Sequence, residues 1–326
     1  MTKDMVWGVV RAVLAGGAGY LGTILVEQLL KKSETIGIEK IVVYDNLMYK
    51  QEGLFPFLSN PKLQFVYGDV RDRGRLSKYI QEADYIYPLA GIVGFPACDR
   101  DKTLAQDVNA NQIDYICSSS RSDARIILPN TNSGYGVGEN DTFCTENTKL
   151  NPISTYGITK CAGEKFALDS GKAISLRLAT VFGTSYRFRK DLLVNDFVLK
   201  ALTDKYVVLF ESHFKRNYIH IRDVAGVFIK MLVEFDSHKG EVFNVGLSSA
   251  NLSKLELCEK IKEQIPNFVI KTDDFSADLD KRNYIVSNEK LEATGWKPEY
   301  SLDYGISELI KAYGVFLHAN TKHTNL

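Results

Sequence analysis

The chain has 326 residues, 45% hydrophobic and 25% charged, enough for one large domain or a domain with a substantial lobe. Its 40 lysines and arginines balance 40 aspartates and glutamates. That balance excludes a general electrostatic attraction to nucleic acid or an anionic membrane, although a local anion site remains open.

The longest uncharged stretch, Ala12 to Val26, is broken by glycines and falls short of the roughly 20 apolar residues a membrane helix needs. The opening "MTKDMVWGVV" holds an aspartate and no long apolar core, so no secretory leader is expected. Five scattered cysteines without a CxxC pair point to a reducing cytoplasm, and neither they nor the five histidines suggest a metal site.

In chain order, "RAVLAG" reads as a strand, Tyr20 to Lys32 as a helix and "KIVVYD" as the next strand. "LQFVYGD", "ADYIYPLA" and "ARIILP" continue the series, a helix follows around Tyr156 to Asp169, and "AISLRL" is a sixth strand. Short, continuously apolar strands alternating with helices predict an α/β fold, a doubly wound parallel sheet of the Rossmann type. After about Thr180 the pattern loosens: "DLLVNDFVLKAL" and "VAGVFIKMLVEF" are helical, while "YVVLF" and "NYIHI" are short strands. The expected division is 1–180 as the dinucleotide-binding domain and 181–326 as a smaller substrate-binding lobe, interwoven with late returns to the main sheet.

"GGAGYLG" lies between the first strand and first helix and sets Gly16, Gly19 and Gly22 in the spacing GxxGxxG, with Tyr20 and Leu21 between. Absent side chains let the backbone turn tightly and approach a pyrophosphate, whose charge the helix N-terminus favours. Asp45, followed by Asn46, ends the second strand, where a carboxylate can accept ribose hydroxyls and would repel a 2′-phosphate. NAD is therefore the expected cofactor. Asp69 and Val70 are candidates beside the adenine, with a plain turn as the alternative for Asp69; Leu89, Ala90 and Gly91 would lie along the middle of the cofactor.

"STYGITK" puts Tyr156 and Lys160 four residues apart, on one face of a helix. A phenol ordinarily ionises near about pH 10; a neighbouring ammonium and the nicotinamide's positive charge would bring it toward the working range of a base. "LPNTNSGYG" ends the fifth strand in polar residues, which either make a turn or hold a substrate hydroxyl.

GxxGxxG, Asp45, that polar strand end and YxxxK together resemble the extended short-chain dehydrogenase/reductases, and more narrowly the NAD-dependent nucleotide-sugar epimerases and dehydratases. The resemblance extends over "RLATVFG", "KRNYIHIRDVA" and "KLEATGWKP". It implies that Thr131, four residues before Tyr135, shares a proton network with Tyr156 and Lys160 at C4 of a sugar. It also implies a structural role beside the cofactor for Asn109, whose alternative is a helix-surface amide, and a homodimer.

The dehydratases of this family carry Asp-Glu after the threonine. Asn132 and Ser133 stand there, and neither is an acid or base near neutral pH, so dehydration is not expected. Net 4-dehydrogenation and 4-epimerisation both remain, as does, from another class, an NAD-binding module without catalysis. "PNTNSGYG", "DLLVNDF", "RNYIHIRD", "GLSSANL" and "KRNYIVSN" resemble the GDP-heptose 4-dehydrogenases of bacterial capsule biosynthesis. For the nucleotide-sugar substrate the candidate contacts are Asn132, Ser133, Thr180, Asn195 and the arginines Arg187, Arg189, Arg216 and Arg282. Solvated surface is the alternative for each arginine.

Overall fold

A computed structural model describes residues 10–138, 142–273 and 282–318. The amino-terminal stretch considered above as a possible leader lies, but for its last residue, outside them. The strands are β1 Val10–Ala15, β2 Ile38–Asp45, β3 Leu63–Tyr67, β4 Tyr85–Pro88, β5 Arg125–Thr131, β6 Phe143–Cys144, β7 Ala173–Leu178, β8 Thr180–Phe182, β9 Tyr206–Phe210, β10 Lys215–His220, β11 Val242–Val245, β12 Asn251–Ser253, β13 Val269–Asp273 and β14 Ile285–Val286.

Seven of them form one sheet in the order β11-β7-β5-β4-β1-β2-β3, with every neighbouring pair parallel. The order reverses between β1 and β4, which opens a crevice at the carboxyl ends of the strands, where ligands bind in such sheets. The doubly wound α/β fold expected from the sequence is present.

Apolar residues on both sides of each central strand demand helices on both faces. On one face Leu25, Val26 and Leu29 of the helix Tyr20–Lys32 share a buried cluster with Val224, Val227 and Phe228 of the helix Ile221–Val233. On the other, Ile113 and Ile116 of the helix Gln112–Ser119 pack with Val13, Ile86 and Ile126 of the strands.

The later residues build a second core. Phe197 and Val198, Leu257 and Ile261, and Leu309 and Tyr313 bring together the helices Leu193–Thr203, Lys254–Gln264 and Leu302–Phe316. The middle one starts at a reciprocal cap in which Ser253 and Glu256 satisfy each other's backbone N–H groups. Three small sheets, β12-β10-β8, β13-β9 and β14-β6, complete this part. Among the described residues no helix is long and apolar enough to cross a membrane.

Candidate active site

The first helix begins at Tyr20 with no side-chain cap and no acidic residue in its first turn. Its leading N–H groups and positive dipole end are therefore available to an anion. Gly16 turns the chain there at φ +89, and a Cβ on it would lie 2.3 Å from the Ala90 nitrogen. That close approach holds Leu89 and Ala90, whose N–H groups both donate to Ala15 O at 2.7 Å, against the glycine turn. A pyrophosphate fits such a cradle. Gly16→Ala is expected to weaken NAD binding at least tenfold and to cost about 1–3 kcal/mol of stability through backbone strain, read by calorimetric titration and thermal melting.

Asp45 is 7% exposed at the end of β2. Its Oδ2 accepts from Ala18 N at 3.0 Å, and its Oδ1 accepts from Leu47 N at 2.8 Å and Gln51 Nε2 at 3.3 Å. Burial raises its carboxyl above the usual range, with the Leu47 and Ala18 amides pulling the other way. Oδ2 keeps an acceptor position for a ribose hydroxyl. Next to it, Asn46 donates to Asp69 at 3.1 Å, and Asp69 is held down to about 2 by the fork of Arg71. Val70 is buried behind them. Asp45, Asn46, Asp69 and the glycine turn thus form one strip along the crevice.

Asn109 sits in a π turn, Asp107–Asn111, and is 2% exposed. Its Oδ1 accepts from Ile92 N at 2.9 Å, and its amide donates to Ile92 O and to Thr159 Oγ1. A Cβ at Gly163 would fall 2.4 Å from Asn109 O, so the turn and the tyrosine helix touch backbone to backbone. Asn109 fixes the loop after Gly91 to that helix.

Thr131 ends β5, and a 3-10 turn, Asn132–Tyr135, follows. Tyr156 and Lys160 lie on the helix Thr155–Asp169, capped by Ser154. Burial raises the Tyr156 phenol above its ordinary value; its interaction with the Thr131 hydroxyl and then the Arg282 charge oppose this. Lys160 Nζ donates to Pro129 O at 2.5 Å, and burial brings its pKa down to about 8, the Glu164 charge pulling upward. The protein's own groups do not lower the phenol pKa: burial outweighs the groups that favour ionisation.

The remaining candidates divide into two groups. Ser133 and Arg282 join Thr131: the Arg282 guanidinium donates to Ser133 Oγ. Arg189 pairs with Asp191, and its charge reaches Tyr156. Asn132 is 1% exposed, and among the described residues neither of its amide atoms has a partner.

The others are held by contacts elsewhere in the fold. Arg216 is buried with its guanidinium 5.6 Å from the Tyr284 ring centre, and Thr180 pairs with Tyr218 at the start of β8. Asn195 is fully buried and bonds the backbone of Gly183 and Arg189. That segment is also tied to the first helix by Tyr20 OH to Gly183 O at 2.7 Å and Ser185 Oγ to Tyr20 O at 2.6 Å. Leu21, beside Tyr20, is partly buried against the core. Arg187, on the same segment, lies 4.8 Å over the Tyr49 ring and acts on Asp45.

One constellation escapes the sequence reading. Glu164, on the tyrosine helix, is paired with Arg177 of β7 at 2.7 Å, both nearly inaccessible. Ser175 and Asn130 each donate to Glu164 at 2.6 Å, and Arg177 donates to Tyr135 OH at 3.0 Å. Tyr135 donates in turn to Asn244 at 2.7 Å. The signal was an arginine inside the mostly apolar "AISLRL", since a charge in a buried strand needs a partner.

A glycine turn at a helix start, an aspartate at the next strand end and a Thr-Tyr-Lys cluster on one crevice define a dinucleotide-dependent enzyme of the α/β class. The model of the NAD dependent epimerase/dehydratase family matches residues 12–246, and the chain belongs to that family, whose members modify nucleotide sugars with NAD as cofactor. It is 27% identical to the low-salt glycan biosynthesis protein Agl12 of Haloferax volcanii, over 92% of this chain and 97% of that one. It is 24% identical to a putative UDP-glucose 4-epimerase of Methanocaldococcus jannaschii, over 91% and 96%. Its fold is similar to that of the dTDP-glucose 4,6-dehydratase DesIV of Streptomyces venezuelae, solved with NAD and TYD bound (TM-score 0.80, 23% identity, 94% and 97% covered).

Proposed function

We propose that the protein oxidises C4 of a nucleotide-diphosphate sugar, GDP-heptose by its sequence resemblance, and releases the 4-keto sugar for surface-polysaccharide synthesis. The observation that carries this reading is the placing of Thr131, Tyr156 and Lys160 beside a cradle that fits NAD. Bound NAD supplies the acceptor for the C4 hydrogen and its electron pair. Tyr156, as phenolate, takes the proton of the C4 hydroxyl, and Thr131 orients that hydroxyl. Lys160 fixes the end of β5 through Pro129 and adds positive charge near the phenol.

Asn132 and Ser133 cannot eliminate water from the ketosugar, which argues against a dehydratase. A buried amide with no protein partner is costly unless a ligand bonds it, so Asn132 suits a sugar hydroxyl. Arg216 belongs with the nucleotide end of the substrate, in the 181–326 lobe, Arg187 with the cofactor's ribose, and Arg189 with the reacting end. The five cysteines are free thiols, the state a reducing cytoplasm maintains.

The alternative is a 4-epimerase, in which the ketosugar is reduced again on its other face. The test is incubation of the purified protein and NAD with GDP-heptose and common UDP- and GDP-hexoses, followed by nicotinamide absorbance and sugar NMR. A 4-keto product matched by reduced nicotinamide supports the dehydrogenase. Inversion at C4 without net reduction makes it an epimerase, and no turnover of any nucleotide sugar defeats both.

A further inference from the structure

From the sequence, Arg282 is a second candidate for the substrate's diphosphate, with solvated surface as the alternative. In the fold its guanidinium reaches the reacting end instead, where Nη1 donates to Ser133 Oγ. Ser133 Oγ also receives the Thr131 hydroxyl at 2.9 Å, and Ser133 N–H donates back to Thr131 Oγ1 at 3.1 Å. A line of hydrogen-bonded side chains therefore joins a permanent cation to Thr131, whose hydroxyl favours ionisation of the Tyr156 phenol.

On the function proposed above, we infer that Arg282 is a positioning residue for the proton transfer, acting on Tyr156 through Ser133 and Thr131 rather than by holding substrate. Arginine has only donors, so whenever it bonds Ser133 Oγ it must donate. That leaves the Ser133 hydrogen free to turn toward Thr131, and the Thr131 hydrogen free to turn toward a phenolate. The line can thus reverse its polarity as Tyr156 ionises, with the guanidinium charge at its far end favouring the ionised state in a water-poor site.

The groups around the phenol make this cation the effective one. Thr131 faces it from β5, Cys98 from the helix Phe95–Arg100, Arg189 from the 183–191 segment and Arg282 from the approach to β14. Cys98 opposes ionisation, while Arg282 and, more weakly, Arg189 favour it. Lys160, on the tyrosine's own helix, spends its hydrogen bond on Pro129 O. Burial also leaves it partly discharged near pH 8, whereas a guanidinium keeps its charge throughout.

The test is an ultraviolet tyrosinate titration of the NAD-loaded protein, with Tyr156→Phe as the subtracted reference, on wild type, Arg282→Gln, Arg282→Lys and Ser133→Ala. Arg282→Gln is expected to move the Tyr156 titration upward by about one pH unit or more. Ser133→Ala moves it less in the same direction, and Arg282→Lys restores part of the shift. The acid limb of kcat/KM moves with the titration, and KM for the sugar changes less than kcat. An unmoved titration with a raised KM makes Arg282 a substrate contact and overturns the inference, as does an unmoved titration in Ser133→Ala and Arg282→Lys if Arg282→Gln fails to fold. The titration needs no turnover, so a wild-type protein that oxidises no nucleotide sugar defeats the proposed function separately.

Discussion

Replacing Tyr156 by Phe is expected to lower kcat by about 10²–10⁴-fold, the usual contribution of a positioned acid or base. KM for the nucleotide sugar and the affinity for NAD should change little, because the ring still packs against the Ile113 and Ile116 cluster and only the hydroxyl is lost. Steady-state kinetics and calorimetric NAD titration check both halves. The pH dependence follows from the sign of the shift. Burial raises the phenol, so the base form grows as pH rises and kcat/KM climbs on the acid side. The Lys160 contribution fades above its own value of about 8. A profile falling from pH 6 to 8 would contradict a phenolate base.

The second large effect concerns stability. Arg177→Met is expected to cost about 3–5 kcal/mol in urea unfolding, because it leaves Glu164 buried without its counter-charge. Adding Glu164→Gln to that variant should recover a large part of the loss, which loss of packing alone would not allow. Burial pushes the Glu164 carboxyl up, but the Arg177 hydrogen bond and charge, with Ser175 and Asn130, outweigh it and hold the pKa below 4.5. A lowered carboxyl contributes stability that is present above the unfolded value and lost as pH falls through the folded one. The double variant should therefore show a shallower stability loss below about pH 4.5 than wild type. The pair matters to the site because it braces Asn130 and Tyr135, which flank the turn carrying Thr131, Asn132 and Ser133.

Features legible in the sequence were those fixed by local geometry. Tyr20–Lys32 and the strands β1 to β5 and β7 follow from apolar runs punctuated by glycine and polar turns, and their positions match the fold within a few residues; the two-residue β6 is too short to leave such a run. The end of β5 was harder, because "PNT" reads as a turn while pairing with β7 carries the strand through to Thr131. β11 joins the large sheet beside β7, after the helix Ile221–Val233 has crossed from the second core, and nothing in "VFNV" alone states which sheet it joins.

The site divides along the same line. Glycine spacing, the strand-end aspartate and the i, i+4 tyrosine-lysine pair are local signals. The placing of the arginines is set by how the later segments cross the crevice. Arg187 lies by Asp45, Arg282 by Ser133 and Arg189 toward the phenol, each far along the chain from the group it meets.

The most direct measurement of the central claim uses a nucleotide sugar carrying deuterium at C4, GDP-heptose first, with purified protein and NAD. Mass spectrometry of the reduced nicotinamide and NMR of the sugar after a single turnover follow the label. The account predicts deuterium in the reduced cofactor of wild type and no transfer with Tyr156→Phe on the same time scale. Label that stays on C4 while another carbon is oxidised, or that is lost to water, would contradict oxidation at C4.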